Sequence, residues 1–331
     1  MACNFDKTPT AGILTFDLVV ILGSLGVVSW LSRLKDKIWQ RLGLVAIGVF
    51  LFEFFTSPMW ENAHLGIFAY VYQDVSWILT LGWSAMILTV VVLVDEYFKR
   101  LKAGPRFGLY LLFLTFLVLI TESVVVGLGI RSYAPEVVAA FTGDKFLGVN
   151  VEVFYYVPVF MALVIGFYKY WSLWLDKAPV VPVKKKPWAR NLLLTTIGVL
   201  LFELMIEPMV VNANLPEWSY IYRDVSLLMT GMWVVIIWVS TYAVDKLFIH
   251  WGLLRRFYLY LMVIGVFTLP IESWLIRNGY RIYGPSATAN FMGFNTPISG
   301  IPVEVALAIP IYLALIIGFV RFWEIILDNK M

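Results

Sequence analysis

Cysteine and histidine are nearly missing from this chain: Cys3 is the only cysteine, and His64 and His250 are the only histidines. A single thiol excludes a disulfide framework or a cysteine metal cage within one chain. Two histidines cannot supply the His-rich iron site of a membrane desaturase or the paired haem ligands of a cytochrome b-like protein. Charge is also scarce, at 14% of residues against roughly a quarter in soluble domains. A net charge of +3 is too small for a nucleic-acid partner. No P-loop, GxSxG or HExxH occurs, so no soluble catalytic signature guides the reading.

What is present is hydrocarbon: 61% of residues are hydrophobic and the mean hydropathy is +0.83. A membrane helix needs about 20 largely apolar residues. Nine segments qualify: 11–33, 42–59, 75–97, 107–128, 151–174, 191–209, 225–247, 254–275 and 302–324. The first apolar run, from Ala11 to Leu34, exceeds the roughly 7–15 residues of a signal-peptide core. It lacks a basic leader and ends in SRLKDK, so a true span is expected.

The basic clusters SRLKDKIWQR, FKRLKAGPR, KYWSLWLDKAPVVPVKKKPWAR, DKLFIHWGLLRR and RFWEIILDNK all fall on one side of this pattern. The opposite loops hold isolated cations such as Arg131, Lys145, Arg223 and Arg281. Because Lys and Arg are retained on the cytoplasmic side, the N-terminus is expected outside and the C-terminus in the cytoplasm.

The stretch LFEFFTSPMWENAHL, from Leu51, returns as LFELMIEPMVVNANL, from Leu201. A slide of 150 positions (Glu53 to Glu203) matches Gly48/Gly198, Pro58/Pro208, Asn62/Asn212, Asp74/Asp224, Thr80/Thr230, Trp83/Trp233, Glu122/Glu272, Arg131/Arg281 and Tyr133/Tyr283. After a two-residue slip, Glu152 aligns with Glu304 and Pro158 with Pro310. This pattern reads as a tandem duplication. Four spans per copy is an even number, so the copies are expected to enter the membrane in the same sense, unlike the inverted repeats of many transporters. The expected architecture is an all-α polytopic membrane protein of nine helices. It comprises an N-terminal helix and turn (1–40, with Asp17 outside the duplication), a first four-helix repeat (41–175), a basic cytoplasmic linker (176–189) and a second repeat (190–331).

At 1.5 Å per residue Glu53 lies about 18 Å up a core about 30 Å thick, and Glu122 about 22 Å up. A charge at mid-bilayer costs about 2.5–3.5 kcal/mol on insertion scales, so these acids should face the bundle interior and find a cation or hold a proton. Each copy gathers four acids toward the outer leaflet: Glu53, Asp74, Glu122 and Glu152, or Glu203, Asp224, Glu272 and Glu304. The inner half is expected to have no such set. Pro58 and Pro208 should end helices, with Asn62 and Asn212 as turn or cap residues. Gly166 and Gly318 fit close helix packing, while Asp95 and Asp245 read as solvated helix ends. The copies also diverge, with Glu207 for Ser57, Glu61 for Val211 and His64 for Asn214, which leaves open whether one or both hold a working site.

Three functional readings follow. In the first, the chain is an enzyme working by acid/base chemistry (cyclisation, isomerisation or hydration) on an isoprenoid-like or other lipid substrate. Glu53 and Glu203 are then the proton donors, Glu122 and Glu272 the bases or partners, and Arg131 and Arg281 their tethers. Trp83 and Trp233 would shelter a developing cation, as would Trp77, Tyr155 and Tyr156; Asp74, Glu152, Asp224 and Glu304 would complete the binding set. In the second, the acids are structural pairs in a lipid-binding or assembly subunit of a larger membrane complex. In the third, they serve a cation- or proton-coupled transporter. No cofactor is evident, although an oxygen-rich cluster suits a divalent cation such as Ca²⁺ or Mg²⁺. Membrane lipids, a hydrophobic small molecule and other membrane subunits are the partners this composition admits.

Orientation is directly testable. In a Cys3→Ser background, an impermeant thiol reagent added to intact cells is expected to label Lys145→Cys, and Lys99→Cys only after permeabilisation. The opposite pattern would refute the assignment.

Overall fold

The computed structural model describes residues 6–146, 148–178 and 187–329; residues 179–186 of the expected linker lie outside them. Among the described residues, nine helices are long and apolar enough to cross a membrane. They are α1 (Ala11–Leu31), α2 (Ile38–Thr56), α3 (Trp77–Tyr97), α4 (Ala103–Gly127), α6 (Val153–Leu175), α7 (Trp188–Ile206), α8 (Leu227–Leu247), α9 (Leu253–Arg277) and α11 (Val303–Asn329). Two short helices, α5 (Pro135–Ala139) and α10 (Pro285–Ala289), start on prolines that suit a first helical turn. Helix is the element an apolar chain adopts in lipid, because every backbone group is then satisfied within its own segment.

Pro58 and Pro208 sit in the 3-10 turns Ser57–Met59 and Glu207–Met209 that close α2 and α7, as expected of residues without a backbone N–H. Asn62 and Asn212 do not cap these turns. Trp60–Asn62 pairs antiparallel with Arg131–Tyr133, setting Asn62 opposite Arg131. Val210–Asn212 pairs likewise with Arg281–Tyr283, setting Asn212 opposite Arg281. The strands exist because the loop backbone must find hydrogen-bond partners where helix has ended and lipid begins. Two further hairpins, Tyr70–Tyr72 with Val75–Ser76 and Tyr220–Tyr222 with Val225–Ser226, lead into α3 and α8. Their turns place Gln73 and Arg223 at positive φ. Gln73 Nε2 donates to the Asn290 carbonyl at 3.2 Å, and Arg223 donates to the Ala140 carbonyl, so each hairpin reaches a loop of the other half.

Helix α6 is buried on nearly all sides and packs most extensively against α11. Small residues allow that approach: a Cβ on Gly166 would stand 2.7 Å from Phe319 Cα, and one on Gly318 2.9 Å from Phe167 Cα. The lipid-facing surface is apolar, with Leu18 and Val19 of α1 and Met262 and Val266 of α9 exposed. Helix α1 lies at the periphery, against α3.

At the end of the bundle away from the hairpins, Asp95 and Asp245 are not solvated helix ends. Asp95 accepts from Tyr110 and Lys169 and pairs with Arg106 at 3.4 Å. Asp245 accepts from Tyr260 and pairs with Arg256 at 3.2 Å and with Arg321 at 3.0 Å. Arg321 also binds Glu324, one turn further along α11. The segment beginning RFWE is thus packed helix, because its charges find partners inside the bundle.

Leucine at Gly166 or Gly318 should cost about 1–3 kcal/mol or more, since backbone atoms oppose the new side chain. Gly26, with nothing within 4 Å of its would-be Cβ, should tolerate it. Thermal unfolding midpoints in detergent decide the matter; equal losses at Gly26 and Gly166 would contradict the packing argument.

Candidate functional site

The site is built where α2 and α7 end. Glu53, one turn before the Ser57–Met59 break, is buried and accepts from Thr80 Oγ1 of α3 at 2.5 Å. Its counterpart Glu203 accepts from Thr230 of α8. Thr80 and Thr230 also sit in their helices' first turns, so the side-chain donor comes from a position whose helix geometry is already set.

Glu122 of α4 accepts from the Tyr133 hydroxyl at 2.7 Å and lies 3.4 Å from Arg131 Nη1. Glu272 of α9 accepts from the Tyr283 hydroxyl at 2.6 Å and lies 3.6 Å from Arg281 Nε. The strands therefore fold Arg131 and Arg281 back over the helix that precedes them. Burial pushes the Tyr133 and Tyr283 phenols up, and the adjacent glutamates add to it, so both stay protonated donors.

The two polar groups differ in how completely they are satisfied. In the first, Arg131 Nε donates to Asn62 Oδ1 at 3.0 Å, and its guanidinium stacks over Trp60 at 5.2 Å. Asn62 in turn binds Asp74 through its backbone N–H at 3.2 Å and its side-chain amide at 3.1 Å. In the second, Asn212 donates to the Asp224 carbonyl at 2.7 Å. Asn212 Oδ1, Arg281 Nε and Glu203 Oε1 are each buried without a hydrogen-bond partner. Buried polar atoms are nearly always satisfied, so three orphans in one cluster call for an explanation.

The cavities differ accordingly. A cavity of about 60 Å³ beside Glu53 and Glu122 is crowded by Trp60, Tyr156 and Phe160. One of about 120 Å³ adjoins Glu203, Glu272, Arg281 and Glu304, and has Val210, Ala308 and Tyr312 at the corresponding places. Residues of the first half, including Phe54, Ser57 and Tyr72, close its far wall. Trp233 is buried against this space, and Tyr312 stacks on Phe202 at 4.1 Å.

Of the twelve residues singled out from sequence, Glu53, Glu122, Arg131 and Trp83 come together in one cavity wall. Glu203, Glu272, Arg281, Trp233 and Glu304 come together in the other. Glu304 Oε1 accepts from the Met292 N–H at 2.6 Å, leaving its buried Oε2 unpartnered. Asp74 is tied to Asn62 instead. Glu152, which accepts from the Thr142 N–H at 2.5 Å, and half-buried Asp224 line neither cavity. Trp77 turns away to donate to the Phe68 carbonyl at 2.9 Å. Tyr133, Tyr283, Thr80, Thr230 and Tyr312 were not chosen from sequence as site residues, although the first four recur at the 150-residue spacing.

Along α11, Tyr312 of this site and Arg321 of the opposite polar cluster are nine residues apart (321 − 312), about 13.5 Å. Buried Leu313, Leu315, Ile316, Ile317, Phe319 and Val320 occupy the interval. The end of the bundle away from the hairpins thus does hold buried charge, separated from the site by a packed apolar layer. Among the described residues, no three His, Cys, Asp or Glu side chains are grouped to hold a metal ion.

Helical content, nine long apolar helices and an apolar outer surface define a polytopic all-α integral membrane protein. No protein-family model, curated protein or solved structure matches the chain.

Asp74, outside the spans, provides a pH handle. Burial pushes its carboxyl up to about 7, against the pull of the Asn62 and Asp74 amides and Arg131. The folded state then holds a proton that the unfolded chain releases near the ordinary carboxylate range. Its stability contribution is complete at low pH and is lost as pH rises through about 7. Between about pH 6 and pH 8 the loss should be roughly 1 kcal/mol, and Asp74→Asn should abolish it. Unfolding midpoints across that range would show no such difference if the carboxyl were ionised throughout.

Proposed function

We propose that residues 41–175 and 190–331 are two parallel copies around an axis along the membrane normal. In this reading the N-terminus lies outside, the linker 176–189 in the cytoplasm, and the hairpin end faces outward. Reciprocal contacts support the arrangement: Gly166 against Phe319 and Gly318 against Phe167, Gln73 to Asn290 and Arg223 to Ala140. An inverted pair would not put equivalent loops at one end.

Within this frame the chain performs acid/base chemistry on an isoprenoid-like or other lipid substrate, in the second copy. The observation that carries this is Glu203: a buried carboxyl with one oxygen held by Thr230 and the other unpartnered, beside an apolar, aromatic-walled cavity. Glu272 has Arg281 and Tyr283 as partners, whereas no ion pair to Glu203 occurs among the described residues. Two carboxyls in such unlike surroundings suit donor and acceptor roles. Glu203 gives its proton to one carbon of a C=C bond, and the cation forms at the other, beside the Trp233 and Tyr312 rings. Loss of a neighbouring proton to a carboxylate gives the isomerised alkene; attack by an internal double bond closes a ring and leaves a new cation that loses a proton to the carboxylate in the same way; and addition of water with loss of its proton gives an alcohol. The cavity admits the reacting end of a chain, not a whole lipid.

The first copy, with Arg131 paired to Asn62 and Glu122 and its space filled by Trp60, Tyr156 and Phe160, serves as scaffold. That closed network favours the alternative in which the whole chain is a structural or lipid-binding subunit. The apolar layer between the two polar clusters speaks against a transport path.

The test is incorporation of deuterium from D₂O into acyclic polyisoprenoids by the protein in proteoliposomes, read by mass spectrometry. Glu203→Gln should reduce it by about 10²–10⁴-fold, and Glu53→Gln by far less. Incorporation undiminished in Glu203→Gln would overturn the assignment, and none in the wild type would leave the structural alternative standing.

A further inference from the structure

A larger space lies outside both acid clusters. Helices α1, α3 and α4 enclose a crevice of about 420 Å³. It runs from Phe16, Leu79 and Val125 near the hairpin end to Val27, Thr89 and Leu117. Ten residues of α3 (79 to 89) span about 15 Å, half of a hydrocarbon core about 30 Å thick. Its walls are small or aliphatic, with Gly23, Gly82 and Ala85 opening room between the helices. The wall hydroxyls of Thr89 and Thr121 are turned to their own helix, donating to the Ala85 carbonyl at 2.6 Å and the Val118 carbonyl at 3.0 Å. They present methyl groups to the space. Exposed Val19 and Val124 flank its opening toward lipid.

The closed end is different. Glu122 and Arg131 line both this crevice and the 60 Å³ cavity at Glu53, and so does Trp83, which meets Phe160 edge-on at 5.8 Å. Trp83 is thus a partition between the lipid-open crevice and a buried carboxyl.

We propose that this crevice is a binding site for a single linear isoprenoid chain, entering sideways from the membrane between α1 and α4, with its leading end against Trp83, Glu122 and Arg131. The length of the crevice, its mostly apolar walls and its polar terminus fit a hydrocarbon with one more polar or unsaturated end. Helix α1 lies outside the proposed duplication and has no counterpart in the second copy, so the site occurs once. The inference rests on the lipid-substrate reading for the class of chain.

The experiment uses the full chain in proteoliposomes with a diazirine-bearing polyprenol, and in parallel a diazirine-bearing phosphatidylcholine. The polyprenol is expected to label peptides covering residues 16–27, 79–89 and 117–125 about tenfold above those of other lipid-facing helices. Gly23→Phe, whose Cβ meets nothing within 4 Å, should fill the crevice and lower that labelling by about tenfold. Met262→Phe, on the exposed face of α9, should leave it unchanged. Uniform labelling of all lipid-facing helices, indifference to Gly23→Phe, or labelling of the crevice by the phospholipid alone would overturn the proposal. Labelling needs no turnover and is also read on Glu203→Gln, so its failure is distinct from failure of the proposed chemistry.

Discussion

The ion pairs between Glu122 and Arg131 and between Glu272 and Arg281 hold the hairpin end of this protein together. In a low-dielectric interior each charge is costly alone, and removal of one partner would leave the other exposed to that cost. Each pair therefore obliges the chain after α4 or α9 to fold back, and the strand pairing with the end of α2 or α7 follows from where the arginine must go. Tyr133 and Tyr283 bring the second donor to each glutamate along the same strands. The position of Glu53 or Glu203 relative to these pairs is then determined by the strand register opposite Asn62 or Asn212.

The two halves share this frame and differ in what fills it. Around Arg131, Asn62 bridges the arginine to Asp74 and Trp60 covers the guanidinium. Around Arg281 the smaller Val210 and Ala308 leave a space, the asparagine oxygen is turned to no donor, and Glu203 keeps an oxygen free. Unsatisfied groups beside a cavity are costly to maintain in a membrane protein.

Beneath this layer the bundle is conventional in its physics. Gly166 and Gly318 let α6 and α11 cross at backbone contact, aliphatic and aromatic side chains fill the midplane, and a second polar layer around Asp95 and Asp245 anchors the opposite end. The apolar layer between the two keeps their protons and charges independent. Helix α1 packs at the rim of this core, chiefly against α3, and with α3 and α4 it borders the larger crevice.

Hydropathy and basic-residue placement determined the nine spans to within a few residues of their observed ends, because hydrocarbon thickness and backbone satisfaction leave an apolar segment few alternatives. The spacing of 150 residues likewise picked out Glu53, Glu122, Arg131 and their counterparts before any geometry was known. Tertiary structure alone decided which of these meet. Asp224 recurs at the same spacing, and Glu152 after a two-residue slip, yet neither lines a cavity, and Trp77 turns outward, since side-chain direction depends on how helices rotate against one another. Asn62 became a strand residue and Asp95 the centre of a polar cluster for the same reason: their partners, Arg131 and Lys169, are distant in the chain and are brought near only by packing. Which copy holds an open cavity rests on the volumes of residues such as Val210 and Ala308 in three dimensions, a property that no periodicity in the sequence encodes.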